Sequence, residues 1–378
     1  MRILLVGPAF PWRGGLPLLV TDLAHRLTAE GHEVAVQTWS RQGPARLLPT
    51  QRLTAPEAAV FPTVRAPLSW RNPLHWWRAG RRAAAYDLVV VVHYLTLQAP
   101  ALWAVARVAR RTARIVAICA NVVPHEARRG DRLLTTLLMR AVDAAIVHTE
   151  AEREALCRHT DRPVSVAALP PHLPDGAVQS PPVERPPHRR LLFFGKVRRY
   201  KGVDVLLRAL ADVDGIALTI AGEIYPDAAD LPALVTQLGL GDRVQLLPGY
   251  LPAAALPDLF ASADALVLPY RSATASQHVA LADRHGLPTV VTRVGNFPDE
   301  VDDGVDGNVC SPGDVADLVR ALRELYAPGR LQELRAGVRR GDDEAVWKTY
   351  LETVAIASRR SSSTLVRPSG RQARRRRP

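Results

Sequence analysis

The stretch with the clearest chemical content is Leu191-Leu192-Phe193-Phe194-Gly195-Lys196-Val197-Arg198-Arg199-Tyr200-Lys201-Gly202-Val203-Asp204. An apolar run of strand length ends at a glycine, and a loop bearing Lys196, Arg198, Arg199 and Lys201 follows. Val203, Leu206, Leu207 and Leu210 then recur at helical spacing. A strand, a basic loop and a helix in that order bring backbone N–H groups and cations to where an anion can sit. A basic loop alone is as readily a solvated turn. Two features favour the anion site: Gly195 and Gly202 flank the loop, and a βαβ pattern continues beyond it for the rest of the domain.

Other candidates lie where the strands of the first half end. Residues 2–7 read as a strand, and Gly14-Gly15 opens a helix whose apolar face is Leu18, Leu19, Leu23 and Leu27. By itself Gly14-Gly15 reads as a tight turn at a helix start. Val34–Thr38 is the second strand. Asp87–Val92 is an apolar, buried strand with His93 at its carboxyl end, where open α/β sheets bind ligands. Ile115–Cys119 runs in the same way into Ala120-Asn121-Val122-Val123-Pro124-His125-Glu126, which makes His125 a cleft candidate. Ala144–Thr149 reads as the last strand of this half.

The segment 41–80 is broken by prolines and holds Trp70-Arg71-Asn72-Pro73-Leu74-His75-Trp76-Trp77-Arg78, with Arg81-Arg82 beyond. Tryptophans beside arginines suit a membrane interface, and they equally suit a helix that turns two of its rings into a core. Pro170-Pro171, Pro174, Pro181-Pro182 and Pro186-Pro187 form a stiff mid-chain connection. After it, strands and helices alternate as in a doubly wound parallel sheet. The boundaries expected are a first domain at 1–170, a linker at 171–188, a second domain at 189–345, a helix at 346–357 and a tail at 358–378.

Composition excludes several classes. The 378 residues are 47% hydrophobic and 23% charged, which suits two ordinary globular domains. Cys119, Cys157 and Cys310 lie too far apart for a metal or disulfide pattern. No apolar run approaches the roughly 18 residues of a membrane span, and the short apolar N-terminus reads as a strand rather than a leader, so a cytoplasmic protein is expected. The net charge of +12 owes eight arginines to residues 358–378, so the rest is only mildly basic. That weighs against nucleic acid as a partner and leaves an Arg-rich tail able to touch anionic lipid.

Gly195-Lys196-Val197-Arg198-Arg199-Tyr200-Lys201-Gly202 resembles the donor-phosphate loop G-R-L-x-x-x-K-G of family 4 glycosyltransferases of the GT-B fold, with lysine in the arginine position. The segment Ala120–Glu126 resembles a subgroup motif H-N-V-x-P-H-E, with alanine for its first histidine. Gly295-Asn296-Phe297-Pro298-Asp299 resembles the following G-G-x-P-E. The paired glutamates common in the family fall at Ala273 and Leu281 and are absent. Ala273-Thr274-Ala275-Ser276 instead resembles the A-T-x-S of a subgroup, whose next glycine is Gln277 here, followed by His278.

The resemblance implies two Rossmann-like domains with a cleft between them, the acceptor on the first and a nucleotide-sugar on the second. It implies transfer to a glycan or lipid-linked acceptor with retention of configuration, from a UDP- or GDP-sugar, without metal or other cofactor. Lys196 and Lys201 would neutralise the diphosphate, with Arg198 and Arg199 as weaker supports. Gly15 and Gly195 would approach the donor closely, His125 would stand near the reacting sugar, Ser276 near phosphate or sugar, and Asp299 or Glu300 near the nucleoside. The final helix would cross back to the first domain, although an ordinary core helix of the second fits its pattern as well. The competing expectation is a relative that binds nucleotide-sugar or a partner without turnover, favoured by Ala120, Ala273 and Leu281. An anionic membrane surface is the further partner expected from the tryptophan–arginine cluster and the tail.

Overall fold

The computed structural model describes residues 1–44, 52–56, 58–122, 130–172, 188–339 and 341–359. His125, Glu126, Arg128 and Arg129, most of the linker 171–188 and nearly all of the tail lie outside the described residues.

Two six-stranded, all-parallel sheets form. The first contains β1 (Arg2–Val6), β2 (Glu33–Gln37), β3 (Leu88–His93), β4 (Arg114–Cys119), β5 (Ala144–Val147) and β6 (Val164–Val166), in the order β2-β1-β3-β4-β5-β6. The second contains β7 (Arg190–Phe194), β8 (Ala217–Gly222), β9 (Val244–Pro248), β10 (Ala265–Leu268), β11 (Thr289–Thr292) and β12 (Gly307–Cys310), in the order β12-β11-β10-β7-β8-β9. Helices cover both faces, so the central strands are buried on both sides. All six residues of β3 are buried, which is why it reads as an unbroken apolar run rather than an alternation.

The sequence reading needs correcting in one place. Ala144–Thr149 is not the last strand of the first sheet: Val164–Val166 pairs with β5 through Ala145↔Val164 and Val147↔Val166. Three partly exposed residues after a proline carry too little pattern to be seen. Of the two readings of the tryptophan–arginine segment, the helix is present: Pro73–Ala83, started by Asn72, whose side chain accepts from Leu74 N (3.1 Å) and His75 N (3.4 Å). Trp70 and Trp76 pack on the core beneath it, and the Trp76 indole donates to Ser69 O at 2.7 Å. Trp77 is 50% exposed, with the Arg81 guanidinium over its ring.

The helix Asp343–Ser358 leaves the second domain and packs on the first sheet. Trp347, Tyr350, Leu351, Val354 and Ala357 join one buried cluster with Ile3, Leu5, Val116 and Ile118. Trp347 donates from Nε1 to Pro171 O at 2.8 Å, and the Arg26 guanidinium lies over its ring while pairing with Glu344. In the second domain, Asp264 is fully buried just before β10. Its carboxylate accepts from His188 N, Arg190 N, the Tyr326 hydroxyl and Arg335 Nη2. This hub sits at the amino ends of the strands, the end away from the switch-point loops.

Two stability predictions follow from this packing. Trp347→Ala should destabilise the first domain by about 3–5 kcal/mol, the usual cost of emptying a large core site. Asp264→Ala should cost the second domain a similar amount, about 3–5 kcal/mol, because the His188 and Arg190 N–H groups and the Tyr326 hydroxyl all lose their common buried acceptor. Urea unfolding followed by far-ultraviolet circular dichroism measures both. Transition midpoints within error of the unsubstituted protein would contradict this account of the cores.

Candidate active site

In the second sheet the strand order reverses between β7 and β10, and a ligand crevice opens at such a switch point outside the carboxyl ends of the strands. The loop after β7 is the basic loop, and the loop after β10 carries Tyr270 to Ser276. Gly195 has φ 113° and Gly202 φ 67°, both left-handed. A Cβ on Gly202 would stand 1.9 Å from Pro269 O, so the backbone of one loop rests directly on the other. Val197 anchors the loop by exchanging hydrogen bonds with Glu223 O (2.8 Å) and Tyr225 N (3.0 Å).

The four cations do not share one task. Arg198 is engaged by Asp227 at 2.9 Å and Arg199 by Asp230 at 3.0 Å. Arg271 pairs with Asp204 at 2.7 Å and donates to Arg199 O at 2.9 Å. These pairs brace the loop, so the structure assigns Arg198 and Arg199 to carboxylates of the same domain rather than to an incoming anion. Lys196 is exposed. Lys201 is 6% exposed, with its ammonium 4.8 Å from the centre of the Tyr270 ring. Burial, then Lys196 and Arg198, pull the Lys201 ammonium down to about 7.

The carboxyl ends of the two sheets face each other across this loop. Between them lies a cavity of about 300 Å³, to which Gly15 and Asn121 contribute from the first domain and Lys201, Tyr270, Thr274 and Ser276 from the second. A neighbouring cavity of about 210 Å³ is mainly apolar, with Trp12, Leu18, Tyr250, Leu251 and Leu281 on its walls. The two share Gly15, His172, Gln277 and His278. The domains also touch directly: Thr274 Oγ1 donates to Asn121 Oδ1 at 3.2 Å, and Arg13 pairs with Glu223 while its guanidinium covers Tyr250.

Among the residues singled out from sequence, Gly15, Lys201 and Ser276 meet on the larger cavity, and Gly195 lies beside Lys201 and His278. Ser276 is held by its backbone N–H to Asn296 Oδ1 (3.1 Å), and Asn296 Nδ2 donates to Glu300 Oε1 (2.6 Å). Glu300 therefore reaches the site only through Asn296. Asp299 is exposed, and neither acid is on the wall of either cavity. His93 is fully buried in the first domain, pushed by burial to about 4, and away from both cavity walls.

Three histidines carry no sequence signal as site residues yet stand on the cavity walls. His172 is buried with its N–H to Gln277 Oε1 (3.2 Å), Nδ1 at 2.7 Å from Pro170 O, and Nε2 3.1 Å from where a Gly15 Cβ would be. His148 follows β5 and stacks on Tyr350 of the crossing helix. Burial pushes both down to about 4, so both are neutral at physiological pH. The third is His278, whose Nδ1 is 2.8 Å from Ser276 Oγ. Each is an isolated histidine in sequence, and only the folding of strand ends and linker to one place brings them together.

Comparison with known proteins places this arrangement. The family model described as "Glycosyltransferase Family 4" matches residues 13–172, and "Glycosyl transferases group 1" matches residues 188–328. The chain is 30% identical over 291 residues to D-inositol 3-phosphate glycosyltransferase 1 of Catenulispora acidiphila, an alignment that covers 70% of this chain and 65% of that relative's length. It is 26% identical to the D-inositol 3-phosphate glycosyltransferase of Acidothermus cellulolyticus, covering 93% of this chain and 88% of that one. In fold it is similar to Anabaena Alr3699/HepE, solved in complex with UDP, at a TM-score of 0.72 and 18% identity over 94% of this chain and 100% of that chain. It is also similar to sucrose-phosphate synthase from Thermosynechococcus elongatus, at 0.70 and 18% over 94% and 97%. With one family model on each half and the two facing sheets between them, the chain belongs to the family 4 glycosyltransferases of the GT-B fold.

Proposed function

We propose that the protein moves a sugar from a UDP- or GDP-sugar to a glycan or lipid-linked acceptor, with retention of configuration and without a metal. The observation that carries this reading is Lys201. A buried ammonium faces a cavity between the domains, and no described residue pairs it with a carboxylate. An anion is the ligand that offsets its desolvation. The relatives are named for glycosyl transfer, and Alr3699/HepE was solved with UDP and with UDP-glucose.

In this reading the diphosphate sits over Gly195 against Lys201, and the apolar cavity beside it takes the nucleoside. Fixed cations in a water-poor site stabilise the charge that develops as the diphosphate leaves, so the lysines do what a divalent ion does elsewhere. The departing diphosphate lies on the face from which the acceptor attacks and takes the acceptor's proton, which preserves configuration. His125, outside the described residues, is assigned to the reacting sugar. Ala273 and Leu281 offer no carboxylate to the donor, so its grip rests on Lys201, backbone and apolar walls.

The acceptor side adds a surface. Leu74 and Trp77 on the helix Pro73–Ala83 are each 50% exposed, and Leu133 on the helix Asp131–Met139 is 76% exposed. The helix Ala99–Ala109 packs between these two helices, and Arg71, Arg78 and Arg81 are exposed nearby. We assign this face to an anionic membrane surface, where cations contribute on the order of 1 kcal/mol each and an aromatic ring anchors at the interface. No helix among the described residues is long and apolar enough to cross a membrane.

Three measurements test these assignments. Donor affinity should be highest below about pH 7, where Lys201 is already charged in the free protein. A bound diphosphate raises the pKa of that ammonium, so above pH 7 binding takes up a proton and affinity falls by up to about tenfold per pH unit. Calorimetry with a UDP- or GDP-sugar in two buffers of different ionisation enthalpy reads that uptake. Lys201→Ala should abolish it and lose about 2–4 kcal/mol of binding at pH 6.5; a pH-independent affinity removes Lys201 from the site. His125→Ala should lower turnover far more than donor affinity, and a wild-type rate would show the residue to be idle. Co-sedimentation should show salt-sensitive binding to anionic vesicles that weakens in Trp77→Ala and persists in a chain ending at Ser358. Equal partitioning to neutral vesicles would refute the membrane assignment.

A further inference from the structure

Gly195 marks a point on which two polar groups converge. A Cβ placed there would stand 2.6 Å from His278 Nε2 and 3.3 Å from Lys201 Nζ. The glycine has no such atom, so the His278 ring and the Lys201 ammonium can both come close to the loop backbone, and both side chains stand on the wall of the larger cavity. His278 is on the walls of both cavities, at the join between the phosphate side and the apolar side. Its ring is fixed by the Phe194 ring, 5.8 Å between centroids, and by Ser276.

Ser276 fixes the position of the His278 ring. The backbone N–H of His278 donates to Ser276 Oγ at 3.4 Å, which leaves the hydroxyl its own hydrogen to donate. The hydroxyl hydrogen is then available for His278 Nδ1, 2.8 Å away. In the tautomer with Nδ1 accepting, the single ring proton of a neutral imidazole resides on Nε2, the nitrogen beside Gly195. Burial and the adjacent Lys201 hold the ring well below its ordinary range, so it is neutral at physiological pH. A neutral ring is the form that can stand beside a lysine without repelling it.

We propose that His278 is a second diphosphate-binding residue, donating from Nε2–H to a phosphate oxygen that Lys201 also contacts, with Ser276 as the positioning residue that holds the ring in that tautomer. This rests on the nucleotide-sugar reading above and adds to it a ligand that the basic loop does not contain. The family resemblance gives no role to this position, and the sequence shows only a histidine two residues after a serine. The arrangement supplies one charged and one uncharged donor to the same anion. The cavity thereby gains a directional contact without a third cation whose charge would have to be buried.

Calorimetry with inorganic pyrophosphate and with UDP, on the full chain and at pH 7.5, tests the contact. His278→Ala should weaken both ligands by roughly tenfold to a hundredfold, the range for a hydrogen bond to a charged acceptor. His278→Gln, which keeps an amide N–H at a similar reach, should stay within severalfold of the unsubstituted protein. Ser276→Ala should weaken binding when histidine is present and have little effect in the His278→Gln background. Nitrogen-15 spectra of the imidazole, which do not depend on turnover, should show a neutral ring protonated on Nε2 that shifts on adding pyrophosphate. If His278→Ala binds as tightly as the unsubstituted protein while Lys201→Ala does not, His278 is idle and the nucleotide reading stands. A ring protonated on Nδ1 in the complex, or a His278→Gln variant as weak as His278→Ala, would also overturn the proposal. If the unsubstituted protein binds neither ligand, the nucleotide reading fails and this inference fails with it.

Discussion

A lysine ammonium kept out of water beside other cations is the constraint around which the second domain is arranged. Desolvating one charge costs several kcal/mol unless something compensates it. The surrounding loop removes the other positive charges from competition: Arg198, Arg199 and Arg271 are each matched to an aspartate of the same domain. What remains over Gly195 is an excess of positive potential in a water-poor pocket. The loop must be rigid for this to persist, which explains the anchoring of Val197 on Glu223 and Tyr225 and the contact of Gly202 with Pro269 O.

The two sheets complete the site by meeting at their carboxyl ends. Parallel strands put all their outgoing loops at one end, so two such sheets facing each other line a cleft with loops on both sides. The first domain contributes Gly15, Ala120 and Asn121 together with His148 and His172. The second contributes charge and hydroxyls. The stability hub at Asp264 lies at the opposite end of β10, so packing and ligand binding draw on different ends of the same strand.

Much of this was legible in the sequence, for identifiable reasons. Strands buried on both faces leave continuous apolar runs, and the glycines around the basic loop mark a backbone that only glycine adopts there, so the fold and Lys201 could be found directly. The short strand Val164–Val166 has too few residues to show a pattern, whereas the helix Pro73–Ala83 was one of the two readings that its tryptophans allowed, and Asn72 is a recognisable cap. The partition of the cations was not legible, because Asp227 and Asp230 reach back to the loop from roughly thirty residues away. His148 and His172 were invisible for a related reason. Each is a lone histidine until strand ends and linker are folded together.

The helix Asp343–Ser358 gives the molecule a particular order of assembly. Its Trp347, Tyr350 and Val354 are part of the core under β1 and β4, elements separated from it by more than two hundred residues of chain. Domains generally fold as they emerge during synthesis, amino-terminal half first. Here the amino-terminal domain emerges early but lacks part of its own interior until the second domain has been made. Its face under that helix is an exposed apolar surface throughout translation of residues 188–342, the interval in which a nascent chain most needs shielding from its neighbours.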